Sequence, residues 1–240
     1  WTAGTFAGTG SLTLDANRVL SISGTGSKSL QRNFYNGGTV TFDGQSTVSV
    51  NSSLSFTNQG GATFEITGDN GTNGQAPFST ASGFVFTNAG TFKKTAGTAR
   101  TNFANTFNST GSVQVTASGG GSLALVGTGS LGGNFLTSVG QGVIFTGTYT
   151  LNDGTMLSGT GSYSFGLTSG SAVTATVLGT VNADKILVVA GSTITSTGTG
   201  TNTLNINSSL DWQSGSMTGT GTTVIASGAT ASISGGATKT

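Results

Sequence analysis

At 240 residues the chain has room for one large or two small domains, and 42 glycines with abundant Ser, Thr and Asn exclude a mainly helical fold, because these residues rank low in helix propensity. Charged residues are 6% of the total against roughly 25% in ordinary globular domains, and the net charge is +1, so there is no electrostatic footprint for nucleic acid or an anionic membrane. The absence of His and Cys excludes imidazole and thiolate metal sites, disulfides and the commonest general base.

Low-complexity polar chains are often disordered, for want of apolar surface to bury. Here hydrophobic residues reach 34% with fourteen Phe, and they recur in short alternating runs, the pattern of half-buried strands. In chain order the first run is Ser11-Leu12-Thr13-Leu14, after an opening block Trp1-Thr2-Ala3-Gly4-Thr5-Phe6-Ala7-Gly8-Thr9-Gly10. A turn-and-strand unit follows, Phe34-Tyr35-Asn36-Gly37-Gly38-Thr39-Val40, leading into Thr39-Val40-Thr41-Phe42. It returns as Phe86-Thr87-Asn88-Ala89-Gly90-Thr91-Phe92 and Phe107-Asn108-Ser109-Thr110-Gly111-Ser112-Val113, and in shortened form at Leu151 and Leu167. Ser162-Tyr163-Ser164-Phe165 is a further strand, and Lys185-Ile186-Leu187-Val188-Val189-Ala190 is too short to span a bilayer.

Phe34, Phe56, Phe86 and Phe107 lie 22, 30 and 21 apart, which predicts coils of about 20–22 residues with an insertion near Pro77. Gly-Thr-Gly turn markers stand at Gly8, Gly24, Gly127, Gly159, Gly198 and Gly219. The expected fold is all-β, a single-stranded parallel β-helix whose inward residues stack from coil to coil, with Gly and Asn supplying φ > 0 corners.

A longer repeat is also visible. The opening block returns as Trp212-Gln213-Ser214-Gly215-Ser216-Met217-Thr218-Gly219-Thr220-Gly221, and Ser21-Ile22-Ser23-Gly24 and Lys28 return as Ser232-Ile233-Ser234-Gly235 and Lys239, all offset by 211. Residues 1–211 thus read as one super-repeat and 212–240 as the start of the next in the same rod. An echo of Asn51-Ser52-Ser53-Leu54-Ser55-Phe56 in Asn207-Ser208-Ser209-Leu210-Asp211-Trp212 predicts a shared coil register for Phe56 and Trp212. Neither end carries a recognisable cap, which points to a longer chain or an end-to-end polymer of the chain with itself.

The Trp-x-x-Gly-x-x-x-Gly-Thr-Gly blocks and Phe-x-Asn-x-Gly-Thr turns resemble the repeat regions of large bacterial surface proteins of the adhesin, filamentous-haemagglutinin and autotransporter-passenger type. That resemblance implies a β-solenoid, right-handed in most such proteins, secreted to the cell surface or extracellular matrix as a stalk, adhesin body or filament. Surface glycans are the partners it suggests. It carries over no site residues, and the near absence of charge departs from it.

Parallel β-helices also include polysaccharide-active enzymes, so the acidic residues matter: Asp15, Asp43, Glu65, Asp69, Asp153, Asp184 and Asp211. Asp43 and Glu65, 22 apart, are the best pair to face each other across a glycosidic bond. Two outer-face charges are the plainer reading, and no enzyme activity, cofactor or metal is expected. Asp69-Asn70-Gly71-Thr72-Asn73-Gly74 looks like an oxygen-rich calcium loop with too few carboxylates; a flexible insertion between coils is expected. Lys93, Lys94 and Arg100 form a basic cluster expected to be a solvated face. Trp1 and Trp212 are sugar-stacking candidates, with packing the plainer reading. Sequons begin at Asn51, Asn70, Asn108 and Asn207 and would matter only in a eukaryotic secretory pathway. Thr39-Val40-Thr41, Thr148-Tyr149-Thr150 and Thr193-Ile194-Thr195 suggest an ice-binding Thr array, but they do not recur at one fixed coil spacing, as a flat ice face would need.

Overall fold

The computed structural model describes residues 1–198 and 200–240. Among them there is no helix. The chain winds into a β-solenoid of about 10 turns with about 22 residues per coil, and every strand pairing is parallel. A typical coil contributes one short strand to each of three stacked sheets: Thr106–Ser109 to the first, Ser112–Val115 to the second and Leu123–Leu125 to the third. Two long strands, Thr180–Val188 and Thr203–Trp212, continue from the second sheet into the third through a register shift between Ala183 and Lys185.

Alternation along each strand sends one set of side chains inward and the next outward. The inward set stacks like on like. Phe34, Phe56, Phe86 and Phe107 form a column with ring centroids 4.7, 5.0 and 5.5 Å apart and planes within 11° of parallel. Phe64 and Phe92 stack in the second sheet at 5.5 Å, and Phe145 and Phe165 in the third at 4.8 Å. The spacing is dictated by the distance between neighbouring strands, about 4.8 Å, which offset-stacked rings can adopt.

The corner between the first and second sheets departs from expectation. The motif asparagines do not occupy φ > 0 positions; Asn36, Asn58 and Asn88 point inward and are fully buried. Asn36 Nδ2 donates to Asn58 Oδ1 at 2.7 Å, Asn58 Nδ2 to Asn88 Oδ1 at 2.8 Å, and Asn88 Nδ2 to Ser109 Oγ at 3.1 Å. The same amides also donate to the carbonyls of Thr63, Thr91 and Ser112, so the column satisfies itself inside the core. Gly90 and Gly111 at this corner are likewise not at positive φ. A Cβ on Gly90 would lie 2.3 Å from the Ala62 carbonyl oxygen, and one on Gly111 2.1 Å from that of Gly90. Close stacking of corners excludes a side chain there.

Coil lengths differ, and the excess is placed away from the first sheet. Residues 67–84 loop out beside the third sheet, where Phe78 bridges to Val48 and is buried. Phe56 still pairs with Phe86 and, after a second long turn at 166–173, Tyr149 still pairs with Ala175.

The echo between Phe56 and Trp212 does not hold in space. Phe56 belongs to the inward column of the first sheet, whereas Trp212 pairs with Val188 in the third. At 51–54 the Asn-Ser-Ser-Leu string is a turn with Ser53 at φ 59°, and at 207–210 it is strand, so the same residues serve a corner once and a bulged ladder once. The offset of 211 has a counterpart in hydrogen bonding. Gly4 pairs with Lys28 and Gly215 with Lys239. Lys28 Nζ donates to the Gly24 and Gly26 carbonyls at 2.7 and 2.9 Å, and Lys239 Nζ to those of Gly235 and Ala237 at 2.6 and 2.9 Å.

Candidate functional site

The sparse carboxylates are occupied with structure. Asp43 closes a turn, accepting from the Gln45 amide at 2.9 Å and from the Gly24 amide of the preceding coil at 2.7 Å. Glu65 accepts from the Thr95 hydroxyl at 2.7 Å and pairs with Lys93 at 3.0 Å. Burial pushes its carboxyl up, but the Thr95 hydrogen bond and the Lys93 ammonium more than reverse this and hold it below its usual value. Among the described residues no group of three or more acidic side chains converges. Two open grooves, of about 540 and 520 Å³, are lined mainly by Gly, Ser and Thr and by no Asp or Glu.

The oxygen-rich loop is turned inward to its own backbone. Asp69 accepts from the Gly71 amide at 2.9 Å and from the Ala99 amide at 2.8 Å; Asn70 Oδ1 accepts from Thr72 N and Asn73 Oδ1 from Arg100 N. The loop is thus an insertion between coils, and its side chains tie it to the backbone of the next coil at Ala99 and Arg100. The basic cluster is not a solvated face. Adjacent strand residues point to opposite sides, so Lys93 lies outside against Glu65 while Lys94 is fully buried, its Nζ 3.6 Å from Asp69 Oδ2 and without a hydrogen bond. Burial pulls the Lys94 ammonium below its ordinary value against the opposing pull of Asp69. Burial raises the Asp69 carboxyl, but the Ala99 and Gly71 amides and the Lys94 charge bring it below its usual range. Arg100 Nε donates to Asn102 Oδ1 at 3.1 Å.

Both tryptophans pack against the core while remaining half-exposed. Trp1 meets Phe6 at 4.4 Å, and Trp212 Nε1 donates to the Gly215 carbonyl. Of the sequon asparagines, Asn51, Asn70 and Asn207 are exposed, and Asn108 accepts from the Ser130 amide at 2.9 Å.

What sequence spacing concealed is a regular surface on the first sheet. Its strands pair Thr128 with Thr148, Ser130 with Thr150, Thr150 with Thr176, Thr174 with Thr193, and Thr176 with Thr195. Ser216 and Thr218 continue the two outward rows at one end. At the other end stand Thr106 and Asn108, then Val85 and Thr87, then Ser55 and Thr57. The intervals from Thr128 to Thr148, Thr174 and Thr193 are 20, 26 and 19 residues. The turn at 166–173 takes up the longest of them, so unequal spacing in the chain becomes equal spacing in the sheet. Thr148/Thr150 and Thr193/Thr195 therefore share one face despite having no fixed period in the chain. Thr39 and Thr41 lie on the second sheet and are not part of the array.

The two rows contain no charged residue. Among the described residues the hydroxyls of Thr148, Thr150, Thr174, Thr176, Thr193 and Thr195 make no hydrogen bond to protein, whereas Ser130 at the edge accepts from Asn152. The signal that could have found this face is Thr-x-Thr or Thr-x-Ser immediately after each turn, aligned by turn and not by residue count. Compared with known proteins, the chain matches no family model, no curated protein and no solved structure.

Proposed function

We propose that the chain is a rigid spacer of an extracellular surface protein, a stalk, adhesin body or filament segment without catalysis. The observation that carries this reading is the uninterrupted stack of about 10 parallel turns, in which aromatic and asparagine columns run from coil to coil. Such a molecule resists bending because each coil is held by hydrogen bonds and packing on the next, and stability accumulates along a line. The recurrence of the lysine clamp at Lys28 and Lys239 supports a rod built of super-repeats, 1–211 followed by the start of another. The scarcity of charge suits a passive wall, and the engagement of Asp43 and Glu65 in turns and ion pairs argues against polysaccharide hydrolysis.

The test is length. Protein carrying one and two tandem copies of residues 1–211, compared by electron microscopy and small-angle scattering, should give straight rods. Each copy should add about 45 Å, from a strand spacing of about 4.8 Å per coil. Compact particles that grow in all directions would refute the spacer reading, and so would turnover of a polysaccharide by the chain.

A further inference from the structure

We propose that the outward face of the first sheet, centred on the paired rows that run from Thr128 to Thr195, is an ice-binding surface whose ligand is the lattice of hexagonal ice. This does not rest on the spacer reading; a free fragment would bind in the same way.

The first argument is spacing. The residues of one row repeat at the distance between strands, about 4.8 Å, and the two rows are two residues apart along the strand, about 6.6 Å. These distances lie close to the two repeats of a prism face of ice. In-register parallel pairing carries the match over four successive coils, from Thr128/Ser130 through Thr148/Thr150 and Thr174/Thr176 to Thr193/Thr195.

The second argument is chemistry. Ice presents neutral donors and acceptors in a fixed array, and charged groups hold their own hydration too strongly to fit it. The face is neutral, and the Thr hydroxyls named above are uncommitted. Thr adds a methyl beside each hydroxyl on a branched Cβ with restricted χ1, so apolar and polar points alternate on a surface that loses little side-chain entropy on binding.

The bland explanation is that Thr suits any outward strand position. The second sheet answers it. Winding through the same coils, it shows Asn134 and Leu136, Met156 and Ser158, Thr180 and Asn182, then Thr203 and Asn205 outward, so no strand there carries two outward Thr. Over these coils two outward Thr or Ser per strand thus recur on the first face and not on the second, where single Thr alternate with Asn, Leu and Met.

The experiment is partition of the 240-residue chain into a slowly growing ice hemisphere, with serum albumin as the excluded control, and measurement of the gap between melting and freezing points. The wild-type protein should enter the ice and open a gap. Thr150→Lys/Thr176→Lys should lose both effects with its circular dichroism unchanged, while Gln114→Lys/Ser158→Lys on the second sheet should keep them. Exclusion of the wild-type chain from ice overturns the proposal without any variant, as does equal partition of the two double variants. Retention on crystalline cellulose with exclusion from ice would give the face to a polysaccharide and also overturn it.

Discussion

The outward faces of the first and second sheets are made by the same turns of the same chain, yet they differ in kind. On the first, Thr and Ser pairs repeat without charge from Thr128 to Thr195. On the second, the row through Thr41, Glu65, Lys93, Gln114, Leu136 and Ser158 changes character at almost every step. Backbone requirements are common to both, so they explain the scaffold and leave the chemistry of the first face unexplained by folding alone. A solenoid can hold one side uniform while another varies, because outward residues contact few neighbours beyond their own row.

Both faces rest on one core, and removing part of it should affect them equally. Phe86→Ala interrupts the column between Phe56 and Phe107 and is expected to cost about 4 kcal/mol in denaturant unfolding. Amide exchange should then rise in strands Val85–Asn88 and Thr91–Lys94 together; loosening of one alone would show that the sheets have separate cores. The next effect belongs to the varied side. Asp69→Ala strands the buried Lys94 without its counter-charge, at an expected cost of about 3 kcal/mol, whereas Lys94→Met should cost less, because Asp69 keeps the Gly71 and Ala99 amides as partners.

Asn58→Ala tests the corner that locks the two sheets to each other. It removes one of the two acceptors of the Asn36 amide and the donor to the Asn88 side-chain oxygen, and should lower stability by about 2 kcal/mol. The smallest effect is electrostatic and confined to the second sheet. The Glu65 carboxyl lies below its ordinary 4.5 in the folded chain, so its stabilising contribution is complete above pH 4.5. It is lost as pH falls through the folded value, because the unfolded chain takes up the proton first. Lys93→Ala should remove most of this acid dependence and cost under about 1 kcal/mol at neutral pH, since the pair is partly solvated. The Thr rows carry no titrating group, and amide exchange of their strands should respond far less to the same acid titration.

The sequence made the scaffold legible because its strongest signals are local. Alternation in Thr39–Phe42 depends on neighbours in the chain, and Phe34, Phe56, Phe86 and Phe107 show through unequal intervals because each opens a similar turn motif; the structure turns that recurrence into a column of stacked rings. What stayed hidden depends on register between coils. Thr148 and Thr174 are 26 apart and Thr174 and Thr193 are 19 apart, so no fixed period aligns them. Lys93 and Lys94 look alike in the chain and are separated only by the side of the strand on which each falls. The motif asparagines hide their role for a related reason: a turn residue that tolerates φ > 0 and one that forms a buried ladder have the same letter, and only stacking distinguishes them.

Parallel stacking has a mechanical corollary. The hydrogen bonds between coils run along the rod, so tension applied at its two ends pulls them lengthwise and peels one turn at a time. Each released turn of about 22 residues pays out about 75 Å of slack, many times the thickness it occupied. A tether of this kind would yield by stepwise lengthening under a sudden tug and spare whatever is fastened at either extremity.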